Sequence, residues 1–484
     1  MKKLSAGKGV QVNQTECKNE VYRFQAVGKR EAVGEFNGGH ISSDAGVVLL
    51  GEVDRRRRII KRLAECFIDY RDQRYCEHSV EELLKQRIYA IALGYEDLID
   101  HDELRVDPLL AAVIGKQEPT GEARRRQQDK GKPMAGKSTL NRMELRSDNP
   151  EQDGRYKKIA VSEEALTRLL VEVFLEGYDE APARVFLDLD STDDLIHGHQ
   201  EGRFFHAYYG DYCYLPLYIF CGDFLLCARL REANHGDTPG VVEELGPMIS
   251  QIRQRWPGVR IVLRGDSAFG MEVIMSWCEQ NGVDFIFGKA KNKRLESEIT
   301  REMEQARQEY ESSGKPARVF KDFRYQTLDS WSRERRVVGK AEYLEKGSNP
   351  RFVVTSLSKQ EVDAQTLYEK EYCARGEMEN RIKEQQLYLF ADRTSTGRMK
   401  SNQLRLWFSS MAYVMMNELR RVGLRDTELK NAQCNTIRLK LFKIGALIRV
   451  TVRRVLVSFS SAYPYQRVFK QIYKNLVAYE AVRC

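Results

Sequence analysis

Val185-Phe186-Leu187-Asp188-Leu189-Asp190-Ser191-Thr192 is an apolar, β-branched run that ends on two acids. As a strand it alternates faces, so Asp188 and Asp190 share one face with Phe186 while Leu187 and Leu189 point the other way. Ile261-Val262-Leu263-Arg264-Gly265-Asp266-Ser267 repeats the plan, with a buried-strand run closing on one acid. A third acidic motif, Tyr372-Cys373-Ala374-Arg375-Gly376-Glu377-Met378-Glu379, lies in a helical pattern. Tyr372, Arg375, Glu379 and Lys383 recur there at spacings of three, four and four, which puts them on one helix face.

Each motif has an ordinary explanation. Asp188 and Asp190 could close a solvated strand end, and Asp266 or Ser267 could cap the next helix. Arg375, Glu379 and Lys383 could form a solvated ion-pair ladder. Taken together, acids on two strands and a helix can converge on a pair of divalent cations, and two cations suit phosphodiester chemistry. Carboxylates are the hard oxygen ligands that Mg²⁺ prefers, and Mn²⁺ is expected to substitute.

The flanking sequence reads as mixed α/β. Strands are expected at 184–190, 214–221, 224–231, 259–265 and 284–288, with helices at 240–255 and 271–281. Three strands in meander order, then helix, strand, helix, strand, match a ribonuclease-H-like layout. In it the first and fourth strands are neighbours, which would bring Asp190 and Asp266 together. A charged helix at 293–314 and strand-like segments at 317–326, 334–343 and 351–357 form a β-rich insertion. Helices are expected at 364–389 and 401–422, strands at 436–443 and 446–458, and a last helix at 465–479.

The first 183 residues read as mainly helical after a polar, loose arm at 1–33. A helix at 47–64 starts at Asp44 and turns the run Arg55 to Arg58 to solvent. Another at 79–93 carries the capping box Ser79 and Glu82, and a third covers 162–176. The resulting organisation is 1–183, a mainly helical region; 184–292, the first part of the core; 293–357, the insertion; 358–395, the second part of the core with Glu379; and 396–484, a basic C-terminal region.

Bulk properties narrow the class. The chain has 484 residues, 42% hydrophobic and 31% charged, as in globular proteins. No eighteen-residue apolar window and no secretory leader are apparent, so a cytoplasmic protein without a membrane span is expected. The ten cysteines include no C-x-x-C pair and read as free thiols. From Arg381 to Cys484 there are 20 Lys/Arg and 6 Asp/Glu, an excess of 14; against a chain total of +8 the remainder stands at −6. Aromatics interleave with this charge, which favours a nucleic-acid contact over a merely soluble surface.

These residues resemble a known family, the DDE transposases of bacterial insertion sequences, in the branch named after insertion sequence 1380 and related to the insertion sequence 4 group. The resemblance rests on Gly34-Glu35-Phe36, Ile41-Ser42-Ser43-Asp44-Ala45-Gly46, Ala135-Gly136-Lys137-Ser138-Thr139-Leu140-Asn141-Arg142-Met143-Glu144 and Leu187-Asp188-Leu189-Asp190-Ser191-Thr192. It continues through Gly198-His199-Gln200-Glu201-Gly202, Arg264-Gly265-Asp266-Ser267 and Tyr372-x-x-Arg375-x-x-x-Glu379. It implies Asp190, Asp266 and Glu379 as catalytic, metal-binding acids, with Asp188 the alternative first acid. Asp190 is preferred because the related group places its acid two residues before a Thr. Arg264, Tyr372, Arg375, Lys383, Lys137 and Arg142 become candidate DNA contacts. The larger group has Lys seven residues after the Glu; Gln386 stands there, and Lys383 is the nearest substitute. The implied activity is cutting at terminal inverted repeats and joining 3′-ends to target DNA, by a homodimer on double-stranded DNA.

Two rival readings are a catalytically inactive DNA-binding relic and a P-loop ATPase acting on DNA. The second rests on Gly131-Lys132-Pro133-Met134-Ala135-Gly136-Lys137-Ser138, which satisfies G-x-x-x-x-G-K-[ST]. A working P-loop follows a buried strand, whereas Arg124 to Lys130 is polar and basic. His197, His199 and His206 lack the spacing of a firm metal trio.

Overall fold

The computed structural model describes residues 20–145, 149–152, 157–236 and 238–483. Its centre is a mixed sheet. The main strands are β1 (Arg184–Ser191), β2 (Leu217–Cys221), β3 (Phe224–Arg229), β4 (Arg260–Gly265), β5 (Asp284–Lys289), β6 (Ala317–Tyr325), β7 (Arg335–Leu344) and β8 (Arg351–Thr355). They lie in the order β3-β2-β1-β4-β5-β8-β7-β6. β2 is antiparallel to β1 and β3, β4 is parallel to β1 and β5, and β8 returns antiparallel on β5. The first five strands thus have the expected ribonuclease-H-like order. The strands read as an insertion extend this same sheet.

Both faces of the sheet are covered. Leu187, Leu189, Ile261 and Leu263 pack with Leu245 and Ile249 of helix Val241–Arg255 and Ile274 of helix Glu272–Gln280. On the other face Val262, Ile286 and Val353 meet Leu367 and Tyr368. Beyond them, Tyr218, Phe220 and Leu225 join the main helical core. A central strand buried on both sides explains why 261–263 reads as an unbroken apolar run.

That helical core draws on both ends of the chain. Helices Val48–Arg57, Ile59–Glu65 and Val80–Leu93 pack with the buried helix Met399–Glu418, and Ile472 and Leu476 of helix Gln466–Arg483 complete it. His40–Ser42 pairs with Ala446–Val450. Glu144, fully buried, accepts Nε–H bonds from Arg87 and Arg405, both at 2.8 Å, joining three helices at one carboxylate. Gln403 bonds Leu230 N–H and Ala228 O, closing the edge of β3.

Several sequence expectations change. The strand expected at 436–443 is instead helical through Phe442, Cys434–Ile437 followed by a π turn Arg438–Phe442, because Leu441 and Phe442 are buried by neighbouring helices. The strand read at 446–458 is a hairpin, Ala446–Val450 with Val455–Phe459. The helix read at 47–64 breaks at Arg58, whose φ is 53°. Arg57 is not on the solvent side; it is buried against Glu418, 2.7 Å away. Asp44 makes no side-chain cap, since its carboxylate accepts from Tyr95 and pairs with Lys443. The arm read at 1–33 holds an antiparallel hairpin, Tyr22–Val27 with Arg30–Gly34; its residues 1–19 lie outside the described part.

Gly46 explains its own place in the sequence motif. A Cβ there would lie 1.8 Å from Leu441 O and 2.6 Å from Phe442 Cα, so only glycine lets the N-terminal segment pass that backbone. Gly46→Ala is expected to lower stability by about 1–3 kcal/mol or more through overpacking, measured by urea unfolding. Wild-type stability in that variant would show that the backbone gives way freely.

Candidate active site

The register of β1 on β4 builds the site. Leu189 is opposite Gly265 and Asp188 opposite Arg264, so Asp190 and Asp266 follow side by side where the parallel pairing ends. Acids at the C-terminal ends of adjacent central strands occupy the usual site position of an open α/β sheet. Asp266 caps no helix; its Oδ1 accepts the Ala268 N–H at 2.9 Å, and the next helix starts at Glu272.

Glu379 arrives on helix Gly376–Leu389. The helical segment before it is irregular: Leu367–Tyr372 is a π turn and Cys373–Arg375 a 3₁₀ turn. Such bulges re-aim side chains relative to a regular helix. Arg375 lies between the first and third acids, with Nη1 3.6 Å from Asp190 Oδ2 and Nη2 3.3 Å from Glu379 Oε1. Gln386 Nε2 donates to Asp193 O and Asp194 Oδ1, both at 3.1 Å, tying the same helix to the segment after β1. Lys383 is exposed and makes no ion pair among the described residues, so the expected ladder stops at Arg375 and Glu379.

Asp188 and Arg264 have another task. Arg264 Nε and Nη2 donate to the two Asp188 oxygens at 2.6 and 2.8 Å, and Nη1 donates to Glu371 O at 2.7 Å. The pair is buried, with Arg264 stacked 4.5 Å from the Phe186 ring centroid. Asp188 was the alternative metal ligand and Arg264 a candidate DNA contact. Here both carboxylate oxygens and all three guanidinium nitrogens are engaged inside the protein. Tyr372 packs on Tyr368, with its hydroxyl against Gly288, where a Cβ would come within 2.7 Å. Lys137 and Arg142 do not join this cluster: Lys137 pairs with Asp102, and Arg142 lines a separate cleft.

The electrostatics show the convergence. Burial pushes the Asp190 carboxyl up to about 7; Arg375 opposes this, while Asp266 and Glu379 add to it. Arg375 in turn feels Asp190, Tyr372, Asp266 and Glu379, and Tyr372 feels Arg375 and Asp266. As they stand, no three acid, histidine or cysteine groups among the described residues close on one ion position. Arg375 supplies the counter-charge between Asp190 and Glu379. The donor chemistry fits hard divalent cations, because three carboxylates face a single guanidinium.

The P-loop reading loses its structural basis. Gln127–Asp129 is a 3₁₀ turn with no strand before the motif, and the Lys137 N–H donates to Asp102 Oδ1 at 3.1 Å. A carboxylate from within the chain therefore holds the helix start where phosphates would sit. His199 lies beside Arg203 and His206 stacks on Tyr209, with no metal set among them.

The family described as Transposase DDE domain group 1 matches residues 24–481. The chain belongs to this DDE transposase family. No curated protein matches by sequence. A solved structure that resembles the chain is the cryo-EM structure of the piggyBac transposase synaptic complex with hairpin DNA. Identity is 10% and the TM-score 0.40, over 83% of this chain and 80% of that one. In this transposase no helix among the described residues is long and apolar enough to cross a membrane.

Two outcomes are expected. A carboxyl with a raised folded pKa holds an extra proton between its unfolded value, about 4, and the folded one. The ion-free protein therefore loses stability as pH rises through that window to about 7. Thermal unfolding should give a lower Tm at pH 8 than at pH 6 without ions and a larger Mg²⁺-induced rise at pH 8, with both differences reduced in Asp190→Asn. Equal Mg²⁺ shifts at the two pH values would contradict it. Second, Arg264→Met should cost about 3–5 kcal/mol in urea unfolding by stranding Asp188, and Asp188→Leu with Arg264→Met should cost less.

Proposed function

We propose that this transposase cleaves DNA at the terminal inverted repeats of its own element and transfers the 3′-ends to target DNA. Asp190, Asp266 and Glu379 are assigned as the catalytic acids and as the ligands of Mg²⁺, with Mn²⁺ substituting. The observation that carries this is that Asp190 and Glu379 both reach the Arg375 guanidinium while Asp266 ends the strand beside Asp190, in a chain whose family is that of the DDE transposases.

Bound divalent cations supply there the charge that activates the attacking oxygen and stabilises the leaving one. The protein's own groups supply the rest. Arg375 and Lys383 are assigned to DNA phosphates beside the scissile bond, and Tyr372 to the neighbouring sugar-phosphate. A phosphate drawing Arg375 off Asp190 and Glu379 would release both carboxylates for ligation. Asp188 and Arg264 act by holding the strands and the helix in register. The 1–183 region is assigned to terminal-repeat recognition, the 396–484 region to a basic DNA contact, and the active form to a homodimer on double-stranded DNA. The insertion sequence 1380 branch is the proposed placement. An inactive relic would have no use for acids kept at two adjacent strand ends and on the helix that faces them.

The decisive experiment uses terminal-repeat DNA and Mg²⁺. Asp266→Asn should bind the DNA as wild type does while cleavage falls by about a thousandfold, the loss of several kcal/mol of transition-state stabilisation. Cleavage at the wild-type rate by Asp266→Asn would refute the assignment.

A further inference from the structure

A second charged feature stands apart from the acids. A cleft of about 1250 Å³ opens among the 70–78 loop, the 124–132 loop, the start of helix Lys137–Glu144 and the segment 157–159. Nine Arg and Lys side chains line it against four Asp and Glu. It exceeds the usual volume of a small-ligand site, and its charged lining is unlike the apolar lining of such sites.

The cleft is a built feature. Gly121 has φ +82°, and a Cβ there would lie 2.5 Å from Lys132 N, so the ends of the basic loop close on each other through glycine. Arg124 Nη1 donates to Lys132 O at 2.8 Å and Met134 O at 3.2 Å, pinning the loop from within. Arg124 also reaches Glu77 and Asp129, and Arg71 is held by Asp69, so part of the charge is neutralised structurally. The rim differs. Arg125 Nη1 and Lys132 Nζ donate only to the carbonyls of Arg74 and Gln128, and Lys158 Nζ to that of Glu151. Arg126 is exposed with no side-chain partner among the described residues.

An independent sign points to a ligand. His78 lines the cleft, is 6% exposed, and its Nε2 is buried without a hydrogen-bond partner among the described residues. Burial first, then Lys116, Arg124 and Arg71, push its imidazole down to about 2. A neutral ring thus sits in a strongly positive field, where an entering anion would lower the potential and give Nε2 a partner.

We propose that this cleft seats the phosphate backbone of double-stranded DNA, as a positioning contact separate from the cleavage site. The proposal rests on the transposase reading. Cations with only carbonyl partners suit phosphates, which fix register without reading sequence. Single-strand binding would call for a row of stacking rings, and only Tyr70 and Tyr75 line the cleft as aromatic residues besides His78.

The test combines Arg125→Ala, Arg126→Ala and Lys132→Ala in the full chain, with circular dichroism confirming the fold. Affinity for a terminal-repeat duplex is measured against NaCl concentration. Binding at about 0.15 M salt should weaken at least about tenfold, and the log–log salt slope should become shallower by about 2–3 units, roughly 0.9 per lost phosphate contact. A variant with wild-type affinity and slope overturns the cleft while leaving the transposase reading intact. A wild-type protein that binds no duplex overturns both. Micromolar ATP or tripolyphosphate binding that the triple variant loses, with duplex binding kept, would make the cleft a nucleotide site and overturn the proposal.

Discussion

The buried pairing of Asp188 with Arg264 holds the site together. These residues face each other across β1 and β4, and the third guanidinium nitrogen reaches Glu371 O, on the helical segment that leads to Glu379. One ion pair therefore fixes two strands and a helix, two residues before each strand acid. A guanidinium bonded at all three nitrogens, with both partner oxygens occupied, meets the conditions under which buried charge is tolerated.

The acids beyond it obey the opposite rule. Asp190, Asp266 and Glu379 share one counter-charge, Arg375, so the cluster is under-neutralised and Asp190 retains its proton to about pH 7. A well-compensated pair next to an under-compensated trio separates rigidity from reactivity. The scaffold reinforces this, since helices from both chain ends share one core and lean on the sheet at β2 and β3. Buried carboxylates such as Glu144 and Glu418 lock those helices to one another.

Much was legible in the residues because local chemistry was consistent. Apolar runs ending on acids gave β1 and β4, and the Ser79–Glu82 capping box gave the helix start at Val80. Where reading failed, tertiary packing had overridden the local pattern. Residues 436–443 alternate like a strand, but Leu441 and Phe442 are buried among helices. Arg57 sits in a run of four arginines that looks solvated, yet it meets Glu418, 361 residues away.

The sequence by itself determined the acids, the strand and helix types that carry them, and the α/β order that makes β1 and β4 neighbours. These follow from periodicity and from residue chemistry, which act over a few residues. Only the tertiary structure shows which of Asp188 and Asp190 is closed off by a buried bidentate ion pair, namely Asp188 with Arg264. The two share a strand face and differ by one step of the pleat, and the difference is made by Arg264, 76 residues away. The basic cleft was not legible as one feature, because its charges come from five separate segments, and charge density depends on distance in space.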